Sequence, residues 1–362
     1  MSANPDTYTS FLPAERGAAL LRRRRRRERF GGLVVLIGAT VVLAALLAIP
    51  LFLIASLLSW TPLPADAWVR LGTLLAGTAK AAVCALLVAL PLGFGAAIFT
   101  AQFAAPGFRS WFKPCLEILE AIPTVVLGLI AVATLSPWLK TNVATLLVLV
   151  IAVPSLLLAA GMAFGAPSRR RAGWLPLWLL PALLAVVAAI IAAFGPIQTG
   201  WIVPASPWNA ALVGLALGLA AVPLVFSIAE DALMLIPATH VQSARALGAT
   251  RWQALSSIVL PAARAGLIAA AVLGASRCLG ETMIVLMASG NTPLASPDPL
   301  EGLRTISAEL AIGLPEAVAP SGAYRALLLA ALVLFALTFA LNLFAAHAKT
   351  RLRRRADGAS PA

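Results

Sequence analysis

The stretch AARAGLIAAAVLGASRCLGETMIVLMASG, Ala262–Gly290, carries only three charges, Arg264, Arg277 and Glu281. Read as one helix rising about 1.5 Å per residue, it is long enough to cross a bilayer and puts Arg277 about 20 Å from either end. An ionised pair at that depth is costly and marks a substrate or ion pathway or an ion pair locking two helices. The i,i+4 spacing predicts that Arg277 and Glu281 share one helix face. Arg favours the pathway reading, because its planar fork grips an oxyanion with two hydrogen bonds.

The composition extends this setting to the whole chain. With 362 residues, 61% of them hydrophobic and 11% charged, and a mean hydropathy of +0.94, the chain is a polytopic membrane protein and not a soluble domain. The formal charge of +13 would suit nucleic acid, but most of the basic residues sit in the tails and short loops between apolar runs, so their placement reports topology and not a ligand. Cys84, Cys115 and Cys278 fall in or beside apolar segments and read as small buried hydrophobes. His240 and His347 stand alone, so no histidine-based metal site, no cofactor and no catalytic centre is expected.

Uninterrupted apolar length gives eight predicted spans, at 32–58, 73–103, 116–137, 142–166, 174–195, 208–229, 262–290 and 323–347. An all-α transmembrane bundle follows. Placing the N-terminus in the cytoplasm puts Arg16, Arg22–Arg27, Arg29, Arg109, Lys113, Arg169–Arg171, Arg245, Arg251, Arg264 and the basic residues of 349–355 inside. Only Arg70, Lys140, Arg304 and Arg325 then lie outside, so both termini are expected in the cytoplasm. Residues 1–31 form a basic tail, predicted disordered and held near anionic lipid, and 32–58 reads as a retained signal anchor. Residues 348–362 form a second basic tail. The outer loop 291–322, with Asp298, Glu301, Glu309 and Glu316, offers a landing surface for an extracytoplasmic partner.

Between the sixth and seventh spans, Glu230–Pro261 contains QSARALGATRWQALSSIVLP from Gln242 to Pro261. Good helix formers flank Gly248, which predicts two short helices about a sharp turn. Pro261 is expected to open the next span, where its missing N–H costs nothing. Leu247, Trp252 and Leu255 are predicted to stand out as apolar knobs among cationic rims, the surface of a partner-docking element.

This loop resembles that of the membrane subunits of ATP-binding-cassette importers, which reads Glu-Ala-Ala, three residues, Gly, nine residues, Ile, one residue, Leu-Pro. Ala244, Gly248, Ile258, Leu260 and Pro261 match, while Gln242 and Ser243 stand where the family has Glu and Ala. Arg277-Cys278-Leu279-Gly280-Glu281-Thr282-Met283, continuing to Gly290-Asn291, is similar to the signature of the phosphate-specific (Pst) permeases, its Met favouring the PstC type. Phe112-Lys113-Pro114, Leu116–Leu119 and Ile122–Gly128 resemble the segment opening that family's third span. The likeness covers about 73–137 and 208–347. It implies a core of six spans, to which the pair at about 142–195 looks like an insertion.

The resemblance further implies a permease subunit for inorganic phosphate in the bacterial plasma (inner) membrane; Arg277, Glu281, Thr282 and Lys80 are the candidates for its pathway. Its implied partners are a homologous PstA-type permease subunit, two cytoplasmic ATP-binding-cassette ATPases docked on 230–261, and an extracytoplasmic phosphate-binding protein. Energy is expected from those ATPases, since the chain has no Gly-x4-Gly-Lys-Ser/Thr loop. Glu117, Glu120 and Pro123 are candidates for gating, the two carboxylates reading equally as charges at a helix N-terminus. Lys80, some 10 Å inside the predicted second span, either lines the path or snorkels outward. The rival readings are a permease for phosphonate or sulfate, an intramembrane enzyme, and a receptor or scaffold that transports nothing.

Overall fold

The computed structural model describes residues 14–58, 62–104, 106–140 and 206–357. The predicted spans 142–166 and 174–195 lie outside them. The described helices are α1 (Ala14–Leu57), α2 (Ala67–Gln102), α3 (Pro106–Ala121), α4 (Thr124–Ile130), α5 (Ala210–Met234), α6 (Ala238–Ala246), α7 (Arg251–Ala254), α8 (Leu260–Gly280), α9 (Met283–Ala288), α10 (Ile306–Glu316) and α11 (Gly322–Asp357). Two π-helical turns, Ala131–Leu135 and Leu255–Val259, extend α4 and join α7 to α8.

Among the described residues, five helices are long and apolar enough to cross a membrane: Gly31–Leu57, Ala67–Gln102, Ala210–Met234, Arg251–Gly280 and Gly322–Thr350. A sixth crossing is available to the pair Arg109–Ala121 and Thr124–Lys140, bent by 88°. The predicted third span, 116–137, is therefore not one straight helix. Pro123 has no N–H to continue the ladder and pushes Ile122 away from helical angles, so the chain turns there.

Residues 1–60 form one unit and 61–362 another. In the first, helix α1 begins at Ala14, so the tail expected to be disordered is helical from that point into the span. Ala, Leu and Arg are strong helix formers, and nothing before Pro50 breaks the run.

In the second unit α5 is the axis, packed most extensively on α2 and also on α8. The approach depends on small residues. Gly214 and Gly218 of α5 face Cys84 and Val88 of α2 so closely that a Cβ at either glycine would overlap them. Gly93 and Gly274 admit Val225 in the same way. Helices in an apolar solvent gain by van der Waals contact more than by leaving water, which favours such small-residue faces. Ala85, Ala89, Leu212, Leu217, Ala221 and Val225 are buried between them.

At the end of the unit away from α6, segment 299–309 folds back into the helices. Ala210 and Ala211 donate their free N-terminal N–H groups to the carbonyls of Glu301 and Pro299, at 3.0 and 2.8 Å. Ile306 donates to the Thr78 hydroxyl at 3.0 Å, and the Arg304 carbonyl rests where a Gly77 side chain would stand. The expected outer loop is in this part packed structure, including α10.

Candidate substrate pathway and coupling surface

The run 262–290 is not one helix. Helix α8 ends at Gly280, Glu281 is extended at φ −71°, ψ 130°, and α9 starts at Met283. This overturns the expectation that Arg277 and Glu281 share a face, since i,i+4 geometry fails across an extended residue. Two effects favour the break: Gly280 lowers helix propensity, and Glu281 finds other partners for its polar groups. Its carboxylate accepts the Met283 N–H at 3.2 Å, and its carbonyl accepts the Ser307 hydroxyl at 2.8 Å. The Thr282 hydroxyl, half-buried, points back toward the Gly280 carbonyl at 3.5 Å. Broken helices inside a membrane are tolerated where other protein groups or a wet cavity satisfy the freed backbone.

Arg277 instead faces Glu120, with Nη1 3.7 Å from Oε1 and both side chains about a third exposed, at 30% and 39%. A contact that long is ionic without being a good hydrogen bond. The guanidinium is thus positioned but weakly held, the condition for binding an anion and releasing it.

Glu117 and Glu120 lie in the second half of α3, not at a helix N-terminus, so the capping alternative fails. At 100° per residue, Arg109, Lys113, Glu117 and Glu120 fall within about 80° of one another and form a single stripe. Arg109, Lys113 and Glu117 line an open cleft of about 440 Å³ with Thr100, Ser110 and Pro114. Arg109 Nε donates to Glu230 Oε1 at 2.9 Å, and Lys113 Nζ lies 3.2 Å from Oε2. Glu230 is wholly buried at the end of α5. Beyond Pro123, α4 packs on α9, with Gly128 against Met287 and Ile284. The bend and the broken helix therefore support each other.

Lys80 sits 13 residues into α2, about 20 Å along it, because the helix begins at Ala67 and not at 73. Its Nζ is buried and has no hydrogen-bond partner among the described residues, which does not fit outward snorkelling. Lys80 and Arg277 are on different helices, α2 and α8, with no bond between them among the described residues.

The predicted helix–turn–helix is present as α6 and α7. Gly248 joins them at φ +92°, where an L side chain is strained, and it has open space around its Cα. Thr250 and Gln253 form a reciprocal capping box at the start of α7. Leu247 is 91% exposed and Trp252 is exposed, while Gln242 lies on the outer face of α6 and Ala244 is half-buried. Leu255 is different: it is buried against Phe226, Leu233 and Val259, so it anchors the element and is not a docking knob. Nor does Pro261 open a span, because α7, the π-turn and α8 run on continuously from Arg251 to Gly280. The π-turn at 255–259 lets the helix pass a proline that cannot donate to the ladder. Ile258 and Leu260 are half-buried beside it.

Sequence reasoning missed Glu230 and Ser307. The signal for Glu230 was the Arg109 and Lys113 pair at i,i+4, two cations on one helix face that need a carboxylate. Ser307 gave none, since its partner is a backbone carbonyl.

Residues 89–354 match the family described as the binding-protein-dependent transport system inner membrane component. The chain belongs to that family. Members of it are transport components and not enzymes, and the matched region contains the whole of α3 to α10, the Gly248 turn and the Arg277 break. The chain is similar to the phosphate transport system permease protein PstC of Mycobacterium leprae, 29% identical with 73% of this chain and 70% of the relative covered. It is 30% identical to the protein of the same name from Xylella fastidiosa strain 9a5c, over 77% of this chain and 73% of that one. The PstC protein of Mesorhizobium japonicum is 29% identical, with the same coverage. The chain is thus a multi-pass membrane subunit of an importer complex.

Proposed function

We propose that this chain forms, with a second homologous subunit of the PstA type, the transmembrane pathway of an ATP-driven importer of inorganic phosphate. The observation that carries this reading is Arg277, a weakly paired guanidinium beside the unwound residues 281–282, in a chain similar to phosphate permeases along most of its length. Phosphate crossing the membrane needs compensation of one to two negative charges without permanent capture. The Arg277 fork supplies the charge, and Glu120 supplies a partner when the site is empty. Thr282, Glu281 and Lys80 complete the polar lining, Lys80 being a second cation for the anion to meet, with its Nζ buried. Glu117, Glu120 and Pro123 act as the gate: the bend at Pro123 lets the carboxylate end of α3 swing without disturbing α4 on α9.

One of two cytoplasmic ATPases docks on Leu247, Trp252 and the neighbouring surface of 242–253 of this chain, the other on the partner permease subunit, and an extracytoplasmic phosphate-binding protein delivers substrate at the exposed part of the outer loop, 292–299. ATP-driven closure then moves the spans between outward-facing and inward-facing arrangements. The protein sits in the bacterial plasma (inner) membrane with α6 inside. Single cysteines introduced at positions 253 and 299, in a chain lacking Cys84, Cys115 and Cys278, check this orientation in intact cells. An impermeant maleimide should label position 299 and spare 253; strong labelling of 253 from outside reverses the topology.

The substrate is tested by ATP-dependent uptake of labelled phosphate into proteoliposomes holding all the subunits. Excess unlabelled phosphate should abolish the signal while sulfate and phosphonate leave it. Uptake blocked equally by sulfate or phosphonate would move the assignment to another oxyanion.

A further inference from the structure

Helix α3 is tied at both ends of its charged stripe. One end, Arg109 and Lys113, holds Glu230 at 2.9 and 3.2 Å, and Lys113 also reaches Asp231 at 3.6 Å. The other end, Glu120, holds Arg277. The stripe from Arg109 to Glu120 is about 16 Å long. Glu230 lies four residues before the end of α5, and after Leu235, Ile236 and Pro237 the chain enters α6, which carries the Gly248 turn. A single helix, α3, which carries Pro114 within its span, thus connects the root of the docking element to the arginine of the pathway.

The chemistry of the inner knot is unusual for a mere spacer. Glu230 has no exposed surface, and a carboxylate taken wholly out of water is tolerated only when paired. Its Oε2 makes an ionic contact with Lys113 without hydrogen-bond geometry, while Oε1 is firmly bonded to Arg109. Phe112, between the two cations, packs edge-on against Phe226 of α5 with ring centroids 5.8 Å apart. Displacement of α5 near α6 therefore cannot leave α3 behind without stranding a buried charge and parting this contact.

We propose that Glu230 is a positioning residue for coupling: through Arg109 and Lys113 it makes α3 follow α6, so that ATPase movement breaks the Glu120–Arg277 contact and frees Arg277 for phosphate. This rests on the importer reading above. The inner knot, the stripe and the outer pair act as one lever, pivoting at the bend at Pro123. Glu230 itself touches no substrate.

The test uses the complete complex with its ATPases and binding protein in proteoliposomes, measuring ATP hydrolysed per phosphate imported for wild type, E230Q, R109Q, K113Q, E120Q and E230Q/E120Q. For E230Q the ratio should rise about tenfold, the scale of a typical coupling between sites, with basal ATP hydrolysis retained and its stimulation by phosphate-loaded binding protein lost. R109Q and K113Q should raise it less, each leaving one tie. The double variant should be no worse than E230Q alone, because both residues act on the same step. An unchanged ratio in E230Q, or uptake and hydrolysis falling in step with the amount of assembled complex, would overturn the proposal. If E230Q does not assemble, R109Q and K113Q decide, and wild-type ratios in both overturn it equally. Failure of the importer reading looks different, since the wild-type complex would then import no phosphate.

Discussion

Arg277→Gln should reduce phosphate uptake by about 100-fold in membranes that contain the normal amount of assembled complex. That is the order of loss when one preorganised donor to an anion is removed. Gln keeps some of the length and polarity of Arg277 but neither its charge nor its two-pronged fork. The structural cost should be small, because the Glu120 contact is 3.7 Å long and both partners are partly exposed. Loss of transport and loss of folding can therefore be separated. Arg277→Lys keeps the charge and should restore little, since an ammonium cannot offer parallel hydrogen bonds to two oxygens. Glu281→Gln should be much milder, because Glu281 bonds the Met283 N–H and makes no contact with the arginine. Uptake assays on the three variants at matched expression check the ordering, and normal uptake by Arg277→Gln would reduce the residue to a structural cation.

Gly248→Val should cut uptake by about tenfold while the protein still inserts in the membrane. Glycine takes φ +92° here, and a Cβ at that conformation costs about 1–2 kcal/mol, enough to depopulate the turn 5- to 30-fold. Apart from its immediate chain neighbours, no atom lies within 4 Å of the position where the Cβ would stand, so the strain is local to the turn and the rest of the fold is spared. What suffers is the relation of Leu247, on one side of the turn, to Trp252 on the other, both exposed. Binding of the ATPase to the purified membrane subunit should weaken with uptake. Wild-type binding and transport would remove the turn from the coupling surface.

Apolar length made the spans readable, because a helix in lipid needs a continuous run and the chain provides it at α1, α2, α5 and α11. The turn at Gly248 was readable for a local reason, a single glycine between good helix formers. Where tertiary contacts decide, the sequence misled. An apolar run does not disclose that Glu281 is extended, since the break is stabilised by Ser307, 26 residues further on. The Arg277 partner could not be found by spacing within one helix, because it comes from α3. Leu255 looked like its exposed neighbours, yet it is buried in the cluster with Phe226 and Leu233, contacts that lie far from it in sequence. The Glu230 knot needed two separated segments to be read together, Arg109 with Lys113 and the end of α5.

The most direct measurement is a structure of the assembled complex, held with phosphate and non-hydrolysable ATP, at a resolution that shows the anion. Phosphate oxygens should lie about 2.7–2.9 Å from the Arg277 guanidinium, in two parallel hydrogen bonds, with the Glu120 carboxylate moved away. Phosphate bound elsewhere along the spans, with the Arg277–Glu120 contact intact, would contradict the account.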